Sequence, residues 1–170
     1  MFRLKIRLTE TERLLAQADE RLRLLTLEIV KVNKVFERKK LRVLSFDKLH
    51  SEGADKAFID LSKSEYTSLT PRASTYFIEA NYLLTDLIIR LYEIAGELPE
   101  KHMELARVII AEANRIYASL IYLTMNYGIS FFSQPVEIVL LELGVMRATL
   151  FRIASILGVL KGEKTHILLE

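Results

Sequence analysis

The chain of 170 residues contains no cysteine and no tryptophan, and only six glycines and three prolines. Without cysteine there are no disulfides, no thiolate metal ligands and no thiol nucleophile. So few turn-forming residues argue against an all-β fold, which needs a turn every 8–12 residues or so. Charge of one sign is also missing overall: 24 Lys and Arg stand against 22 Asp and Glu. What remains is 51% apolar and 27% charged, the composition of a globular domain rather than a disordered one.

The charge is unevenly spread. Residues 1–50 hold 13 basic and 7 acidic side chains, whereas residues 51–170 hold 11 and 15. Such a split points to an anionic partner or to one segment pairing with another. The N-terminus interleaves charges with its apolar residues, so it offers no signal-peptide core. Two long apolar stretches, 105–125 and 138–160, carry Arg107, Glu112 and Arg115, and Glu142, Arg147 and Arg152 respectively. Each such charge would cost about 2.5–3.5 kcal/mol at a bilayer centre. The expectation is therefore buried bundle helices in a cytoplasmic protein, with no membrane partner.

Periodicity predicts an all-α fold: an antiparallel four-helix bundle with a long coiled-coil-like N-terminal helix and a short N-terminal strand before it. The strand is read from the alternation Phe2, Leu4, Ile6, Leu8 against Arg3, Lys5, Arg7. Thr9 and Glu12 then have the spacing of a capping box, which starts helix A after Thr9. Leu15, Leu22, Ile29 and Phe36 recur every seven residues, with Ala18, Leu25 and Val32 between them, and carry helix A to about residue 40. Residues 41–50 are ambiguous between helix end and a strand paired with 2–8. Residues 51–70 read as a connector, with a short helix over 54–61. Helix B is expected over 71–95 with Gly96 as a left-handed stop, helix C from Pro99 to about Tyr127, and helix D from Pro135 to about Leu160. The organisation is thus a basic segment 1–50, a connector 51–70, a three-helix core 71–162 and a tail 163–170, all in one domain.

Helices C and D are apolar around more than one face, whereas a bundle helix buries a single stripe. The excess predicts homo-oligomerisation. Glu112, Arg115, Glu142, Arg147 and Arg152 on these helices read as pairs within or between helices, or as specificity charges at a subunit interface, because a buried charge needs a partner. Arg3, Lys5, Arg7, Lys34, Arg38, Lys39, Lys40 and Arg42 form the candidate set for nucleic acid or another anion. The cations after residue 33 equally suit a helix C-terminus.

No catalytic residues are predicted. No serine has a nucleophile-elbow context, no glycine-rich loop cradles phosphate, and no His-Glu-x-x-His occurs. Asp47-Lys-Leu-His50 and Glu163-Lys-Thr-His166 repeat a carboxylate–histidine spacing used in di-iron bundles. One copy falls in an ambiguous stretch and the other in the tail, so no metal or cofactor is expected. The tyrosines, including Tyr76, Tyr82, Tyr92, Tyr117 and Tyr122, sit at helical spacings that suit packing or an interface better than base stacking.

Residues 76–162 resemble a known family. The run Leu91-Tyr92-Glu93-Ile94, Leu98-Pro99-Glu100-Lys101-His102, then Leu105, Ile109, Ala113, Ile116 and Leu120, is similar to the first hairpin of certain small four-helix proteins. These comprise the accessory variability determinants of diversity-generating retroelements and the intervening-sequence proteins of bacterial ribosomal RNA genes. Leu141, Leu143, Met146-Arg147, Leu150, Arg152-Ile153-Ala154, Leu157-Gly158 and Leu160 resemble that family's third helix. The resemblance implies a non-enzymatic homo-oligomer that engages a reverse transcriptase and its RNA through a basic surface. The matched half here is acidic, so the basic residues of segment 1–50 carry the anion-binding expectation. Helix A takes the place of the family's fourth helix. The alternatives are a purely structural interaction module with helix A as a docking arm, and a carboxylate–histidine metal enzyme.

Overall fold

A computed structural model describes residues 2–46, 71–127 and 136–169. They form four α-helices: α1 (Phe2–Phe46), α2 (Pro71–Glu97), α3 (Met103–Tyr127) and α4 (Val136–Leu169), with a single 3-10 turn, Glu100–His102, before α3. The fold is an all-α bundle. Expectations for residues 47–70, including the strand pairing, the short helix over 54–61 and the Thr70 cap, lie outside the described residues, as does the α3–α4 link.

The helices pack in a ring, α1 on α2, α2 on α3, α3 on α4 and α4 back on α1, with no packing across either diagonal among the described residues. Ion pairs fix the directions. Arg7 bonds Glu97 (2.6 Å), Arg90 bonds Glu10 (3.1 Å) and Arg21 bonds Glu79, so residue numbers fall along α2 as they rise along α1. Lys161–Glu12 (3.2 Å) and Arg147–Asp19 (2.8 Å) orient α4 against α1 in the same sense. Ser119–Glu142 and Glu112–Arg152 likewise set α4 against α3, so every neighbouring pair is antiparallel; for α2–α3 and α3–α4 the short connections favour this.

The seven-residue repeat read for helix A is the core stripe of α1. Leu15, Ala18, Leu22, Leu25 and Ile29 are buried, and the same stripe reaches back to Leu8 and Thr11. Leu84, Leu87, Leu91 and Ile94 of α2, Ile109, Ala113 and Ile116 of α3, and Leu143, Met146, Ile153 and Leu157 of α4 complete the core. Each buried Leu, Ile or Met side chain contributes about 1.5–3 kcal/mol relative to an exposed one.

Four sequence expectations are corrected. Residues 2–8 are helical, not a strand: α1 starts at Phe2, and Leu8 is fully buried while Ile6 is exposed. Seven alternating residues can satisfy either period. Here Leu4 and Leu8, four apart, fall on the core side, and no described strand exists to pair with. Thr9 is consequently an exposed residue inside the helix, and Glu12 turns to Lys161 instead of capping. The third correction concerns Gly96, which has no positive φ and lies inside α2. Pro99 stops the helix instead, because proline keeps the preceding residue out of the α region; Leu98 still donates its N–H to Ile94 (3.1 Å). Finally, α4 continues through Gly158 and Gly162 to Leu169, well past residue 160.

Candidate interaction surfaces

The polar interior of the bundle decides where the predicted interface charges sit. On α3, Glu112 and Ser119 are buried one heptad apart, facing α4. Arg152 donates to Glu112 (Nη2 to Oε2, 3.2 Å) and to the Thr149 hydroxyl (3.0 Å), while Ser119 donates to Glu142 (2.6 Å). On the opposite side of α4, Arg147 donates two hydrogen bonds to Asp19 of α1, at 2.8 and 3.3 Å. Those bonds lift the Arg147 guanidinium above its ordinary pKa. Four of the five candidate interface charges thus join helices of one chain. The fifth, Arg115, is exposed on α3.

The basic candidates divide along α1. Arg3 and Lys5 are exposed near its start, and Lys34 is exposed thirty-one residues beyond Arg3. That spacing is about 46 Å at 1.5 Å per residue. Arg7 lies near the first group, but Glu93 (3.4 Å) and Glu97 (2.6 Å) of α2 hold it. Arg38, Lys39, Lys40 and Arg42 lie in the final turns of α1, and their side chains fall outside the described residues. Since Arg21 meets Glu79, the first residue of α2 stands level with about residue 29 of α1, and the final turns of α1 run past it. The eight basic residues are therefore two groups at opposite ends of a long helix, not one patch. Elsewhere α1 spends its charges on pairs, as where Arg23 hydrogen bonds hold the Glu20 carboxyl below its usual pKa.

Apolar exposure follows the other helices. The solvent side of α1 shows Ile6 and Leu27, whereas α2 shows Ile78, Tyr82, Ile89 and Tyr92. On α3 the exposed set is Met103, Val108, Ile110, Tyr117, Ile121 and Met125, and on α4 it is Ile138, Leu141, Val145, Phe151 and Val159. The sequence anticipated this excess on α3 and α4. It missed α2, whose second stripe was legible in the spacing of Ile78, Tyr82, Ile89 and Tyr92. Within α4, Ile138–Gly162 is long and apolar enough to cross a membrane by length and composition. Its Glu142, Arg147 and Arg152 are bonded to α1 and α3, which is what a bundle helix requires.

The surface depressions are open troughs. One of about 640 Å³ runs between α1 and α2 beside Arg13, Gln17, Arg21, Glu79 and Tyr82, and another of about 450 Å³ lies beside Arg147 and Phe151. Among the described residues no group of three or more His, Asp or Glu could hold a metal ion. Comparison with known protein families, curated proteins and solved structures returns no match.

Proposed function

We propose that the protein is a non-enzymatic, cytoplasmic helical-bundle accessory factor that self-associates, binds a protein partner and contacts nucleic acid through basic residues of α1. The observation that carries this reading is the division of the surface. α1 presents charge, while α2, α3 and α4 present large uncovered apolar side chains. Contiguous apolar surface on that scale marks an interaction site in a soluble protein. The family resemblance over residues 76–162 makes a reverse transcriptase the partner class to try first, with its RNA as the nucleic acid.

Light scattering of the purified chain tests the assembly, and an electrophoretic shift titration tests nucleic acid. Binding through α1 predicts affinity that falls steeply between 50 and 200 mM salt. A monomer at every concentration removes the assembly half of the reading, and no shift even at low salt removes the nucleic-acid half. A structural module with α1 as a docking arm is the second reading, favoured by the extension of α1 past the start of α2. It predicts complexes that disappear when α1 is altered and are indifferent to nuclease.

A further inference from the structure

Self-association leaves open which face is covered, and the outer seam of α2 and α3 answers that. On α2 the residues Ile78, Tyr82, Thr85, Ile89, Tyr92 and Gly96 follow one another at alternating steps of four and three, and all are exposed. This is a second heptad stripe, separate from the core stripe of Leu84, Leu87, Leu91 and Ile94. On α3 the residues Ile110, Asn114, Tyr117 and Ile121 repeat the same spacing, again exposed. The Tyr92 hydroxyl donates to the Asn114 side-chain oxygen, which sets the two stripes side by side and puts Ile89 level with Tyr117. From Ile78 and Met125 at one end to Gly96 and Ile110 at the other, neither stripe contains a charged residue, and Tyr82 marks the outer edge where α2 borders the α1–α2 trough of Arg13, Arg21 and Glu79.

We infer that this seam is covered by the same seam of a second copy, related by a two-fold axis near Ile89 and Tyr117; the inference rests on the self-association proposed above. Three properties select a second copy. First, the absence of charge removes any basis for recognising an acidic or basic partner, while like meets like without repulsion. Second, the size suffices. The charge-free stripe from Ile78 to Gly96 is about 27 Å long, and two helices present a face about 20 Å wide. Roughly 540 Å² per copy gives about 1,100 Å² in total, which clears the approximately 1,000 Å² that a specific interface needs. Third, the composition is that of an interface centre, with Tyr92 and Tyr117 beside isoleucines and Met125, and Tyr82 at the edge. Tyr82 is 76% exposed and Met125 69% exposed in the single chain.

The test uses the full chain and its lack of cysteine. Ile89→Glu and Tyr117→Glu place a carboxylate on exposed positions, so helicity should be unchanged by circular dichroism. Each should raise the dimer dissociation constant by about 100-fold or more in sedimentation equilibrium, whereas Phe151→Glu on α4 should leave it unchanged. Ile89→Cys alone, treated with a short bismaleimide, should give covalent dimers in high yield, because a two-fold axis near Ile89 brings the two thiols within reach of the linker; no cross-linked dimer from an associated chain overturns the placement of the axis. Wild-type self-association that survives Ile89→Glu and Tyr117→Glu, or that Phe151→Glu destroys instead, overturns the assignment of the face and leaves self-association standing. A wild-type chain that is monomeric at 100 times the protein concentration of the assay overturns both.

Discussion

At the scale of the residue, the Glu112–Arg152 pair is the interaction with most at stake. Glu112 is 7% exposed, and the hydrogen bonds from Arg152 neutralise it. Removing the partner of a buried ion costs about 3–5 kcal/mol, and the exposure of Arg152 brings the expectation down to about 1–3 kcal/mol for Arg152→Ala. Urea denaturation should show that loss, and Glu112→Leu with Arg152→Leu together should recover much of it. A double variant as unstable as the single one would mean that the apolar stem of Arg152, not its charge, supports the packing of α4 on α3. Part of this was legible in the sequence, since charges on two apolar helices need partners wherever they are buried, and four of the five candidates found them while Arg115 stays exposed. The identity of the partners was not. Asp19 and Glu12 on α1 hold Arg147 and Lys161 across 128 and 149 positions, and spacing along a chain does not say which helices become neighbours.

At the scale of the element, the N-terminal helix shows how local pattern and tertiary packing compete. The alternation over residues 2–8 fits a strand as well as a helix, and the repeat beginning at Leu8 tips it to helix because Leu8, Leu15, Leu22 and Ile29 then bury together. Thr9 is thus mid-helix, and Thr9→Pro should cost about 3 kcal/mol or more, read as a fall in thermal midpoint with loss of helicity. A proline tolerated there would restore the capping role that the sequence suggests. The core repeat of α1 was readable because it runs through several turns without interruption. The stop of α2 was misread because glycine is only permissive, whereas Pro99 acts by steric exclusion. Gly144, Gly158 and Gly162 lie inside α4 with open space where a Cβ would stand. Glycine costs a helix interior about 0.5–1 kcal/mol relative to alanine, so Gly158→Ala should stabilise the chain by about that amount in urea. Destabilisation would show that a partner approaches α4 closely at that point.

At the scale of the whole molecule, the two basic groups of α1 behave as independent sites or as one, depending on the length of the nucleic acid. Arg3 and Lys5 stand about 46 Å from Lys34 along a rigid helix, a span of about 14 base pairs at 3.4 Å each. A duplex of 8 base pairs can therefore touch one end only, and one of 20 base pairs can reach both. Replacing Lys34, Arg38, Lys39, Lys40 and Arg42 by glutamine should weaken both duplexes and flatten the dependence of log affinity on log salt, by about 0.9 for each phosphate no longer neutralised. Replacing Arg3 and Lys5 should weaken the 20-mer more than the 8-mer, because the short duplex retains the other site. Equal sensitivity of both duplexes to both sets would mean that the groups act as one site, which a single copy of α1 cannot provide. It would require antiparallel neighbours in the assembled protein to bring the start of one α1 beside the end of another, and the single-chain ruler would then give way to the geometry of the oligomer.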